Sequence, residues 1–113
     1  MKIYHNPKCR KSRETLAIVE NKTSAFEIVD YIKNPITFEE IKLIIGKLKI
    51  KPIELVRINE STWRENYKGK AMSNDEIIKA MVERPKLMER PIVTTNKKAI
   101  IGRPPENVLC LFD

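Results

Sequence analysis

Cys9 is the residue on which chemistry can be built. It follows the short stretch Lys2-Ile3-Tyr4-His5 and the turn-forming pair Asn6-Pro7, and it precedes a run with helical spacing. A cysteine reacts as its thiolate, and its pKa of about 8.5 falls at a helix N-terminus or beside cations. Both conditions are available here. The helix ahead directs unpaired N–H groups and the positive end of its dipole at the sulfur, while Arg10, Lys11 and Arg13 add positive charge. Ser12 is expected to donate its hydroxyl to the same sulfur. His5 has two readings, an imidazolium that lowers the thiol pKa further or a polar residue closing the strand. These residue types in this order describe the reactive thiol of a small redox enzyme. The second cysteine, Cys110, stands between Leu109 and Leu111 and reads as a small buried hydrophobe rather than a resolving thiol.

Such a thiol needs elements to hold it. Lys2 to His5 reads as a short strand, Ser12 to Asn21 as a helix carrying Leu16, Ala17, Ile18 and Val19, and Ala25 to Tyr31 as a second strand. Asn34-Pro35 breaks that strand. Thr37 with Glu40 and Ser73 with Glu76 are capping patterns before two helices, the first carrying Ile41, Ile44, Ile45 and Leu48, the second Ile77, Ile78, Met81 and Val82. Between them a short helix starts at Pro52 and runs towards Arg57, and Trp63 and Tyr67 read as packing residues. Ile92 to Thr95 and Lys98 to Ile101 form a hairpin about Asn96-Lys97. Glu106 to about Leu111 is a last short helix, leaving Phe112 and Asp113 as the chain end. The order β-α-β, helical block, β-hairpin, helix suits an α/β thioredoxin-like sheet with a helical insertion at about 37–85. Other small α/β folds fit the pattern too.

Composition sets the class. The 113 residues are 42% hydrophobic and 33% charged, enough for one compact domain and unlike a disordered chain. The formal charge of +7 raises a polyanionic partner. Lysine and arginine are interspersed with acidic residues throughout, however, which describes a solvated surface and argues against a nucleic-acid partner. No apolar run suits a signal peptide or a membrane span. A monomer in the cytoplasm, with both cysteines reduced, is the expectation.

The segment Tyr4-His5-Asn6-Pro7-Lys8-Cys9, with Ser12-Arg13 and Thr15-Leu16, resembles the active-site segment of the glutaredoxin-linked arsenate reductases. Leu55-Val56-Arg57, Arg90-Pro91-Ile92-Val93 and Gly102-Arg103-Pro104 followed by Val108-Leu109 are similar to the other blocks of that family, in the same order. The resemblance implies a thioredoxin-like (glutaredoxin-like) fold with a helical insertion, Cys9 as nucleophile, and Arg57, Arg90 and Arg103 as the arginines that bind an oxyanion. It implies a cis peptide before Pro91. It also implies arsenate or a similar oxyanion as substrate, glutathione as co-substrate and glutaredoxin as partner, with no metal and no bound cofactor. Guanidinium forks suit a tetrahedral oxyanion because they offer paired N–H donors. Arg10-Lys11 departs from the Gly-Thr that the best-established arsenate reductases of this family have after the cysteine.

Two other readings of the same residues differ in class. A redox-responsive transcription regulator of this fold, binding RNA polymerase, would use a C-x-x-C pair, but the position three after Cys9 is Ser12. A cysteine phosphatase loop needs an arginine six positions after its cysteine, where this chain has Thr15.

Overall fold

Ile3, Tyr4 and His5 are consecutive and all buried. Successive strand residues face opposite sides, so such a strand must lie inside a sheet covered on both faces. In the computed structural model, which describes residues 1–112, it does. Strand β1 (Lys2–His5) has β2 (Glu27–Asp30) on one side and β3 (Ile92–Thr94) on the other, with β4 (Ala99–Ile101) beyond. The order β2-β1-β3-β4 is mixed: β1 pairs in parallel with β2 and antiparallel with β3, which pairs antiparallel with β4. This is the thioredoxin-like arrangement expected from the sequence.

Helix α1 (Arg10–Lys22) makes the crossover between the parallel strands. Its Val19 packs with Ile3 of β1, Val93 of β3 and Val108 into one buried cluster, against which Leu16, Ile18, Phe26, Ile100 and Leu111 lie. Val108 comes from a terminal 3-10 helix, Pro105–Phe112. Residues three apart stack in such a helix, so Pro105 and Val108 are buried while Cys110, off that row, is exposed. The buried-hydrophobe reading of Cys110 is therefore wrong. Its flanking leucines suggested a period that a tighter helix does not keep. Asp113 lies outside the described residues.

The chain divides into two compact units. The sheet unit takes residues up to Asn34 and from Arg90 onward; Pro35–Glu89 forms the other. Within the second unit, α2 (Phe38–Leu48) packs against α4 (Asn74–Glu83), which also meets the 3-10 segments Pro52–Leu55 and Pro85–Leu87. The Thr37 hydroxyl accepts from the Glu40 N–H at 3.2 Å, and Ser73 and Glu76 cap each other reciprocally. Both expected caps are present. A further helix, α3 (Ser61–Asn66), has no counterpart in the sequence reading. It is six residues of Ser-Thr-Trp-Arg-Glu-Asn with only Trp63 buried, so no apolar repeat announces it. Trp63 stacks on Tyr67 at 5.1 Å between ring centroids. Among the described residues no helix is long and apolar enough to cross a membrane.

In the sheet unit, Ile3→Ala should cost about 2–5 kcal/mol, because it opens a cavity in a fully buried interior strand. Leu43→Ala, on a helix position 60% exposed, should stay within about 0.5 kcal/mol. Urea denaturation midpoints of the two variants check the contrast.

Candidate active site

A turn presents the thiol. The Cys9 N–H donates to the Asn6 carbonyl at 2.9 Å, and the Lys8 N–H donates to Asn6 Oδ1 at 3.0 Å, the Asx turn that Asn-Pro sequences favour. Cys9 is left in extended backbone (φ −94°, ψ 122°) as N-cap of α1, whose first residue, Arg10, lies two residues before the helix start expected at Ser12. Arg13 Nη1 pins the turn from the helix by donating to the Pro7 carbonyl at 2.9 Å. Below it, Ser12 Oγ accepts from the Asn6 N–H at 3.0 Å and lies 2.7 Å from His5 Nδ1. The Ser12 hydroxyl is thus engaged with His5 and Asn6, not with the sulfur as expected; the serine reaches Cys9 through its main chain.

Opposing effects set the state of the thiol. Burial pushes the Cys9 pKa up, but the Ser12 N–H, the Arg90 guanidinium by hydrogen bonding and by charge, and the Lys11 N–H together hold it below its ordinary value. No close side-chain bond caps the helix. The amides act on the large, polarizable sulfur as aimed dipoles. His5 contributes no charge to this balance. Its burial beneath the loop pushes the imidazole pKa down, Asp30 opposes that and Arg13 adds to it, so the ring is neutral at neutral pH. Between the two readings of His5, the imidazolium is the one that burial removes.

Two arginines arrive from the far end of the chain. The Arg90–Pro91 peptide is cis, as expected, and so is Arg103–Pro104, which was not. Arg103 Nε donates to the Arg90 carbonyl at 2.7 Å, leaving Nη2 3.8 Å from Cys9 Sγ. Arg103 is exposed, so its charge is screened; the half-buried Arg90 dominates the thiol. Arg90 Nε is buried and makes no hydrogen bond among the described residues.

The other cations do something else. Arg10 Nε lies 3.1 Å and Lys11 Nζ 3.7 Å from the Glu14 carboxylate, so both charges run along the exposed helix surface. Side chains three and four apart meet on a helix, which the linear sequence conceals. Arg57 belongs to the second unit. There its N–H donates to the Leu87 carbonyl at 2.7 Å, and its Nη1 meets Glu60 Oε2 at 3.2 Å and the Lys86 carbonyl at 3.1 Å.

The residues thus brought together are Cys9, Ser12, Arg90 and Arg103, with His5 and Pro91 behind them. The pattern that defines the ArsC family matches residues 4–111. The chain belongs to that family. Among ArsC relatives, it is 45% identical over 113 residues to the uncharacterized protein YfgD of Escherichia coli K12, covering 96% of this chain and 93% of that one. It is 42% identical over 109 residues to the arsenate reductase of Haemophilus influenzae, covering 95% and 94%. The solved arsenate reductase from Vibrio cholerae superposes with a TM-score of 0.90 at 43% identity, over 96% of each chain.

The sequence reading missed one contact of this ArsC site, the approach of Gly102 to Thr15 behind the thiol. A glycine between an apolar strand and Arg103-Pro104 was the available signal.

The sign of the thiol shift gives a test. Because the folded protein holds the Cys9 pKa below its ordinary value, the rate of Cys9 alkylation should reach half its maximum at a pH below that of a free thiol. Arg90→Gln removes a guanidinium from the sulfur and should raise that midpoint. His5→Gln, which removes no charge at neutral pH, should leave it near the parent value. Iodoacetamide kinetics in a Cys110→Ser background read all three.

Proposed function

We propose that this ArsC family chain is an arsenate reductase in which Cys9 is the nucleophile, glutathione the co-substrate and glutaredoxin the protein that closes the cycle. The observation that carries the reading is a thiol held below its ordinary pKa within reach of two guanidinium groups, one with a buried donor that has no partner among the described residues. The relatives with a stated activity are arsenate reductases, which favours the enzyme over the transcription regulator.

The reaction runs from the site as follows. The Cys9 thiolate forms a sulfur–arsenic bond with arsenate, and one oxygen leaves as water after taking up protons. Glutathione then attacks, arsenic(V) gains two electrons to become arsenite, and the two sulfurs are oxidised to one Cys9–glutathione disulfide. Glutaredoxin removes the glutathione by thiol–disulfide exchange and returns the Cys9 thiol, a better leaving group for having its pKa lowered. Arg90, Arg103 and, in this reading, Arg57 offset the repulsion between thiolate and oxyanion and hold charge on the oxygens as the bond forms.

Arsenite formed from arsenate with glutathione and glutaredoxin is the measurement. The parent chain should turn over, Cys9→Ser should not, and Arg90→Ala should lose about 10²-fold or more in kcat/KM. No product above the Cys9→Ser control overturns the arsenate assignment. Sulfate affinities of Arg57→Ala and Arg103→Ala test their part, and both should fall with the fold intact.

A further inference from the structure

Behind the thiol, helix α1 touches the far end of the chain at one very close point. Thr15 has no exposed surface, and its Oγ1 donates to the Gly102 carbonyl at 3.4 Å. A Cβ placed on Gly102 would lie 2.6 Å from Thr15 Oγ1, 3.0 Å from Thr15 Cγ2 and 3.0 Å from Pro91 Cγ. Backbone and side chain are therefore in contact with no room for a methyl group. Gly102 is in turn tied to the arginine loop. Its N–H donates to the Pro91 carbonyl at 2.9 Å, and the next residue, Arg103, donates through Nε to the Arg90 carbonyl at 2.7 Å.

We propose that Thr15 is a positioning residue: its contact with the Gly102 backbone sets the spacing between α1, which carries Cys9 at its head, and the loop that carries Arg103. That spacing fixes the reach of Arg103 to an oxyanion at the sulfur, so the proposal rests on the oxyanion reading above. Three physical points support it. Thr15 is β-branched and stiff at χ1, and because both its branches already touch the Gly102 position, rotation exchanges one contact for another. The interior is close-packed, so displacement at Gly102 passes on rather than dissipating. Arg103 Nη2, at 3.8 Å from Sγ, stands at the long limit of an N–H···S contact, where a small shift decides whether the donor bears on the site.

The test pairs a crowding substitution with a compensating one. Gly102→Ala should push the loop off α1, and adding Thr15→Ala should make room for the new methyl and bring it back. Two readouts are taken where each chain is folded: arsenate protection of Cys9 against iodoacetamide, and hydrogen exchange of the Arg103 Nε–H by NMR. A purely structural role would move the melting temperature and neither of these. In Gly102→Ala, arsenate protection should weaken by about tenfold and the Nε–H should exchange faster; in the double variant both should return to within about threefold of the parent. Parent values in Gly102→Ala, or a double variant that regains its melting temperature but neither readout, overturn the proposal. Should Gly102→Ala not fold, Thr15→Ala alone removes both contacting atoms without crowding. It must then speed Nε–H exchange, and parent values overturn the proposal. If arsenate protects no chain, the parent included, the oxyanion reading fails, while the Nε–H response still decides the role of Thr15.

Discussion

Everything at this site depends on a contest over one sulfur. Burial of Cys9 alone would keep the thiol protonated and inert, as it does for most buried cysteines. The fold overturns that by aiming two helix amides and one guanidinium at the atom. None of the three is an isolated ornament. The amides belong to a helix started by the Asn6-Pro7 turn, and Arg90 leads into the interior strand β3 that pairs with β1 just below the cysteine. A sheet order that puts β1 beside β3 is what lets residue 9 meet residues 90 and 103.

The same logic explains why Ser12 and His5 are buried and polar. Helix α1 must be held so that its amides point outward at the sulfur, and Ser12 Oγ does so from beneath by accepting from the Asn6 N–H and meeting His5. A buried polar group without such partners would be costly. Here each supplies the other, and the imidazole stays neutral because it is dry.

Much of this was legible in the sequence, for physical reasons. Strands β1 and β3, helices α2 and α4 and their caps announce themselves because apolar period and capping residues are local properties. The thiol at a strand-to-helix junction was legible for the same reason. What was hidden depends on direction or distance. Arg10 and Lys11 looked like neighbours of Cys9 but run along the helix to Glu14. Ser12 offered a hydroxyl on paper and an amide in space. Cys110 turned outward because its helix is tighter than the leucines suggested, and the meeting of Thr15 with Gly102, 87 residues away, leaves no local trace.

The assembly of the site from both ends of the chain ties reactivity to folding itself. The Cys9 sulfur and Arg103 are 94 residues apart. At synthesis rates of about 5–20 residues per second, the thiol emerges several seconds or more before its last arginine. Until the sheet closes it has the acidity of any exposed cysteine. Linkage makes the relation reciprocal: a fold that lowers the Cys9 pKa is itself stabilised by the negative charge it creates. That contribution is complete only above the pKa of the unfolded thiol, and it is lost as pH falls through the lowered folded value. The contacts that lower the Cys9 pKa therefore also add a pH-dependent share to the stability of the scaffold.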